Sequence, residues 1–211
     1  WVPKPKRNLL AYASACCNSG YFGLPLAVAL LGEEAFARAV LISMGFFFFL
    51  FFLGFYVSAR GNFSIKESLK RLFRLPYIYA FILGLILNFL GVERMPILGT
   101  EVLPQTRGAY SVLGMMLVGV GIGMATRNFS VLVKDSFTSS VMAIKFLVLP
   151  LLMSLLVMVD SYFFAFSIDA KVSLMLASFL PLAANTVAFA TELKLVPELA
   201  AIGVTLSTLF S

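Results

Sequence analysis

Inside an apolar run long enough to cross a bilayer, the chain reads Asn18-Ser19-Gly20-Tyr21-Phe22-Gly23-Leu24-Pro25. The run, Asn8 to Leu31, exceeds the roughly 20 residues that a helix needs to span the hydrocarbon core. Its middle carries an amide, a serine hydroxyl, two glycines and a proline. Glycine and proline weaken a helix, and Pro25 withholds a backbone donor. Backbone freed at membrane depth persists only where protein buries it or where it lines a water-filled cavity. Among sequence features, an interruption of this kind is the best pointer to a transporter's binding site.

Composition places the rest of the chain in the same setting. It is 61% hydrophobic and 12% charged, with mean hydropathy +0.98, far from the balance of a soluble domain. The phenylalanine run from Phe46 to Phe52 suits a lipid-facing surface. There is no histidine, which excludes a His-ligated metal site or a His-based triad. Cys16 and Cys17 are sequence neighbours, cannot form an unstrained bridge, and read as small apolar residues. No cofactor or metal is expected. The chain begins at Trp1 close to an apolar run and ends at Ser211 inside another, so it is expected to be a piece of a longer protein.

Seven apolar spans follow from the pattern: Asn8–Leu31, Ala35–Val57, Pro76–Val92, Thr106–Ala125, Ser136–Val159, Ala170–Ala190, and a last one from Glu198. Gly32-Glu33-Glu34 separates the first two, and a turn-rich loop with Pro96, Gly99 and Pro104 follows the third. Lys and Arg mark the cytoplasmic loops. Eleven of them fall on the side that includes Lys4, Lys6, Arg7 and the Ser58–Leu75 linker. Four fall on the other, at Arg38, Arg94, Arg107 and Lys171. The start of the chain and the linker are therefore expected in the cytoplasm, in an inner or plasma membrane. The net charge of +6 is a topology signal; nucleic-acid binding would need a basic face on a soluble domain.

Within the linker, Ser64-Ile65-Lys66-Glu67 fits a capping box. Ile65, Leu69, Leu72 and Phe73 fall at helical spacing, with Lys70, Arg71 and Arg74 on other faces. This predicts a short amphipathic helix on the membrane surface.

A second interruption lies in the sixth span, Ser178-Phe179-Leu180-Pro181-Leu182-Ala183-Ala184-Asn185-Thr186. Pro181 frees a carbonyl about one turn upstream, and Asn185 and Thr186 bring polar groups to mid-membrane. The first and sixth spans lie five apart, the offset of an inverted five-helix repeat, and matching interruptions in two halves mark the substrate site of inverted-repeat transporters. A restarted half-helix offers unpaired amides and a positive dipole end to an anion, and asparagine adds orientable donors. Unwound carbonyls suit a cation instead. Packing kinks are the plain alternative, since Gly and Pro are common in membrane helices.

Lys145 is the one charge deep in a span, about 13 Å along the helix from Ser136. It serves either as a counter-charge for a carboxylate or as a snorkelling side chain whose ammonium returns to the interface. Gly114, Gly119, Gly121 and Gly123 crowd the fourth span, with Gly119 and Gly123 spaced for close helix packing. Ser207 and Thr208 on the last span are weaker candidates.

Asn18 to Leu26, with Gly32-Glu33-Glu34, resembles the auxin efflux carrier family, including its bacterial members and the plant auxin carriers. Leu180 to Asn185, Ala188-Phe189-Ala190 and the Thr205–Thr208 run resemble that family's ninth and tenth helices. The resemblance covers the family's fourth to tenth helices. It implies an all-α membrane protein, an inverted-repeat transporter with two broken, crossing helices, similar to the bile-acid symporter type of fold. Residues 1–57 are then the last two helices of the first repeat and 58–75 the linker. Residues 76–211 form the second repeat, with 76–125 in a scaffold and 136–211 in a transport domain. The resemblance also implies an elevator mechanism, a homodimer and organic-anion substrates. Asn18 and Pro25 carry over to one crossing, and Pro181 and Asn185 to the other.

The expected function is secondary transport of a small organic anion, carboxylate or auxin-like, across the lipid bilayer. The substrate-binding candidates are Asn18, Ser19, Gly20, Pro25, Pro181, Asn185, Thr186 and Lys145. Sodium-coupled symport and a ligand sensor using the same pocket are the alternatives. An enzyme is not expected, for lack of histidine, paired carboxylates and an activated nucleophile.

Overall fold

The computed structural model describes residues 3–32, 43–92, 98–163 and 165–211. Expectations at Glu33, Glu34, Arg38, Arg94 and Pro96, and the start of the second span at Ala35, lie outside them. All secondary structure described is helical. In order the helices are α1 (Lys4–Ala15), α2 (Leu24–Leu31), α3 (Ser43–Ala59), α4 (Ile65–Leu72), α5 (Pro76–Phe89) and α6 (Leu103–Ala125). They continue as α7 (Phe129–Val133), α8 (Ser136–Ala143), α9 (Leu149–Phe163), α10 (Ile168–Phe179), α11 (Asn185–Glu192) and α12 (Pro197–Phe210).

Local chemistry sets many of the starts. Prolines stand in the first turn of α1, α2, α5, α6 and α12, where the missing donor would have had no partner anyway. The capping box at α4 forms: Ser64 Oγ accepts from the Glu67 amide at 3.3 Å, and Glu67 Oε2 accepts from the Ser64 amide at 3.0 Å. Asp135 caps α8 through the Phe137 amide at 2.7 Å, and Ser167 caps α10 through Ala170 at 3.3 Å.

Helices α8 and α9 join through a wide turn, Ile144–Val148. From Ser136 to Asp160 they form one helix of 25 residues with hydropathy 2.4. It is the one continuous described helix long and apolar enough to cross a bilayer; α4 and α5 qualify together only across a 49° bend. Two of the other apolar spans are divided, since helical geometry stops at residues 16–18 and again at 180–184.

Helix α1 is wrapped by the rest. Leu9 and Ala13 pack with Phe137, Val141, Leu182, Val187 and the buried face of α12. On its other side, Tyr12 and Cys16 pack with Leu50, Phe55, Ala183, Phe189 and Leu193. The phenylalanine run is divided between two environments, which corrects the lipid-facing expectation. Phe48 is exposed, while Phe46, Phe47, Phe51 and Phe52 pack against the second cluster. Phe51 stacks on Tyr77 with ring centroids 4.1 Å apart. A run of six aromatics around a helix cannot all face one way, because successive residues turn by about 100°.

The glycine expectation in the fourth span also changes. Gly119 and Gly123 meet no described atom within 4 Å, whereas a Cβ on Gly121 would lie 2.6 Å from the Ala201 Cβ. Gly121 is thus the residue that lets α6 approach α12.

Two ion pairs fasten the ends. Lys6 donates to Asp135 at 2.7 Å, tying the start of α1 to the start of α8. Burial works to raise the Asp135 carboxyl, but the Lys6 hydrogen bond, the Phe137 amide and the Lys6 charge together hold it below the ordinary carboxylate range. At the opposite end Asp160 is buried and lies 3.1 Å from Lys171, and its Oδ2 accepts from the Phe166 amide at 2.8 Å. That set closes the turn between α9 and α10. Asp160→Ala is expected to cost about 3 kcal/mol, since removing one partner strands a partly buried charge and an amide. The check is the melting temperature of the solubilised protein, and an unshifted midpoint would refute the clasp.

Candidate functional site

The first interruption is organised by Asn18. Helix α1 ends at Ala15, residues 16–18 are non-helical, and the chain restarts as a wide turn, Ser19–Gly23, that runs into α2. Asn18 starts the new half-helix with both of its oxygens. Its Oδ1 accepts from the Tyr21 amide at 3.2 Å, and its carbonyl accepts from Phe22 at 3.2 Å and Gly23 at 3.0 Å. Capping of this kind satisfies amides that a helix start leaves open. It also fixes the side-chain amide: with Oδ1 turned to the backbone, Nδ2 has no partner among the described residues.

The second interruption comes from Pro181. Helix α10 ends at Phe179 with Leu180 extended, and α11 starts at Asn185. The Pro181 carbonyl accepts the Asn18 amide at 2.8 Å, so the two interruptions are hydrogen-bonded to each other. The Leu182 amide donates to Ser207 Oγ at 3.0 Å, and Ser207 is fully buried. Buried backbone must find partners, and here each interruption finds one outside its own helix.

Close approach is tight at Gly23, where a Cβ would sit 2.6 Å from Leu180 Cδ1 and the buried Leu180 side chain would have to shift. Gly23→Val should force the two segments apart, lowering stability by about 1–3 kcal/mol as overpacking does. Gly20→Ala, which meets nothing within 4 Å, should change it by less than about 0.5 kcal/mol. Thermal unfolding of both variants checks this, and equal midpoints would refute it.

A cavity of about 780 Å³ opens beside the contact, lined by Cys17 to Tyr21, Pro25, Val28, Ala29, Phe47, Leu50, Ala183, Ala184 and Asn185. That volume suits a small organic molecule, for which pockets run to about 300–1,000 Å³. Among the described residues no carboxylate lines it, and no group of His, Cys, Asp and Glu is placed to hold a metal. Ser19 Oγ is buried without a hydrogen-bond partner among the described residues.

Comparison with known proteins identifies the setting of this cavity. Residues 60–211, well over half the chain, match the family of membrane transport proteins. The chain belongs to that family. It is the auxin efflux carrier family that the Asn18–Leu26 and Leu180–Asn185 motifs resemble. An uncharacterized transporter of Methanocaldococcus jannaschii is 32% identical over 125 residues, covering 58% of this chain and 41% of the relative. Another, of Methanothermobacter thermautotrophicus, is 28% identical over 120 residues, covering 57% and 37%. The match thus spans about two fifths of the relatives' length. No solved structure matches the chain.

In this member of the family, Asn18, Ser19, Gly20, Pro25 and Asn185 share the cavity wall. Pro181 and Thr186 are buried behind it: Pro181 accepts from Asn18, and Thr186 lies beside Cys16. Lys145 does not line the cavity. It is 1% exposed, which rules out a snorkelled ammonium. No carboxylate lies within ion-pair distance of it among the described residues. Its ionisable neighbours are Cys16 and Cys17, and Cys17 reaches the cavity.

Several contributors carried little sequence signal. Cys17 reads as one more small apolar residue, Phe47 reads as lipid-facing, and Leu50 carries no signal of its own. Ser207 and Thr208 look equivalent, yet only Ser207 serves the interruption. Thr208 is exposed and bonds back to the Val204 carbonyl at 2.8 Å. For Ser207 the signal was the proline opposite it, since Pro181 implies a displaced amide in need of an acceptor.

Proposed function

We propose that this protein is part of a secondary transporter of a small organic anion, carboxylate or auxin-like, bound at the crossing of two broken helices related as inverted repeats. The observation that carries the reading is the cavity beside the Asn18–Pro181 hydrogen bond. Among the described residues its wall offers Asn18 Nδ2 and Ser19 Oγ as unengaged polar groups and carries no acid. An anion there meets donors and the start of the Ser19–Leu31 half-helix, whose dipole favours negative charge. Lys145, buried with no carboxylate partner among the described residues, adds an amine beside Cys17, which reaches the cavity.

Membership of a membrane transport protein family supports the transport reading. The five-span offset of the interruptions supports an inverted repeat, and the resemblance to the auxin efflux carrier family implies an elevator-type exchange of access in a dimeric assembly. Ligand-dependent thermal shift of the full-length protein checks the substrate class. Stabilisation grows with ligand concentration over Kd, so at about 100 Kd a small carboxylate should raise stability by about 2.7 kcal/mol. Size-matched neutral amides should not. A panel in which no carboxylate shifts the midpoint, or in which amides work as well, would overturn the anion reading.

A further inference from the structure

Away from that site, a cavity of about 520 Å³ lies between α4 and the end of α11. Its wall carries Lys70, Arg71 and Arg74 beside Glu67 and Glu192. Both acids are engaged: Glu67 in the capping box with Ser64, and Glu192 at 3.9 Å from Arg71. Arg71 is engaged twice, since its guanidinium also lies 3.8 Å from the centre of the Phe63 ring. Lys70 and Arg74 are exposed, one turn apart, with no carboxylate partner among the described residues.

The neighbouring stripe of the same segment is apolar and bare. Ile65, Leu69 and Phe73 are 57%, 41% and 59% exposed, at i, i+4 and i+8. Water alone would not favour that stripe beside two unpaired cations. The segment is bent by 49° from α5, whose apolar residues from Phe81 to Ile86 are largely exposed. A helix leaving a lipid-facing helix at that angle, apolar along one stripe and basic along the next, has the build of an interfacial helix.

We infer that the groove between α4 and α11 binds an anionic phospholipid. Its phosphate sits between Lys70 and Arg74, and its acyl chains cover Ile65, Leu69 and Phe73. A free phosphate would use the cations but leave the apolar stripe bare, so the lipid accounts for both stripes. The site is independent of the transported substrate.

The test uses the full-length protein in neutral detergent, with phosphatidylglycerol or phosphatidylcholine added and bound lipid counted by native mass spectrometry. The wild type should retain phosphatidylglycerol in preference. The K70Q/R74Q variant should bind it roughly 25-fold more weakly, the loss expected for two basic residues at a membrane surface. Leu69→Ser with Phe73→Ser should weaken both lipids, and millimolar inorganic phosphate should not displace the bound lipid. All four positions are exposed, and an unchanged melting temperature in lipid-free detergent verifies folding. Equal retention of phosphatidylglycerol by wild type and K70Q/R74Q overturns the site. Full displacement by inorganic phosphate, or no effect of the two serines, overturns the lipid in favour of a soluble anion.

Discussion

Asn18→Ala is expected to cut transport by the reconstituted full-length protein at least about tenfold while membrane insertion stays intact. Two contributions are lost together. Oδ1 caps the half-helix through the Tyr21 amide, worth about 1 kcal/mol. Nδ2 is the unengaged donor on the cavity wall, and a hydrogen bond to a charged partner is worth about 1.5–3 kcal/mol, or about 10- to 150-fold in affinity. Asn18→Asp separates them, because a carboxylate still caps the Tyr21 amide but puts an acceptor and a negative charge where the donor stood. The aspartate variant should therefore melt near the wild type and yet lose anion binding. Flux at the normal rate in alanine-variant vesicles would remove Asn18 from the binding set.

Lys145→Met is expected to move affinity and stability in opposite directions. The ammonium is 1% exposed and has no acidic partner among the described residues, so the ligand-free protein bears an uncompensated desolvation cost. Methionine nearly fills the same volume without charge, and such replacements are neutral or stabilising by about 1–4 kcal/mol. If the lysine serves as counter-charge, the variant should bind the transported anion about 10- to 100-fold more weakly while its melting temperature holds or rises. Thermal shift with and without ligand reads both quantities on one sample. Unchanged affinity would assign Lys145 to packing alone.

The glycines show where spacing stops being informative. Gly119 and Gly123 have the small-xxx-small interval that favours close packing, yet it is Gly121 that meets Ala201. Interval identifies a helix face but not which face has a neighbour. The phenylalanine run fails for the same reason, because hydropathy does not separate lipid from protein interior. Lys145 carried two readings in sequence, and its burial removes the snorkelled one while leaving the counter-charge to the affinity measurement.

What the sequence determined by itself was the class of molecule and the places where its helices give way. Apolar runs of bilayer length, basic loops, and proline with asparagine in the first and sixth spans are local properties, written in consecutive residues. What only the tertiary structure decided was which groups meet. Asn18 donates to Pro181 across 163 positions, Ser207 takes up the Leu182 amide, and Cys17, Phe47 and Leu50 complete the cavity. An unpaired backbone group states in sequence that it needs a partner. Which partner it finds depends on packing between segments remote in the chain, and no run of adjacent residues encodes that.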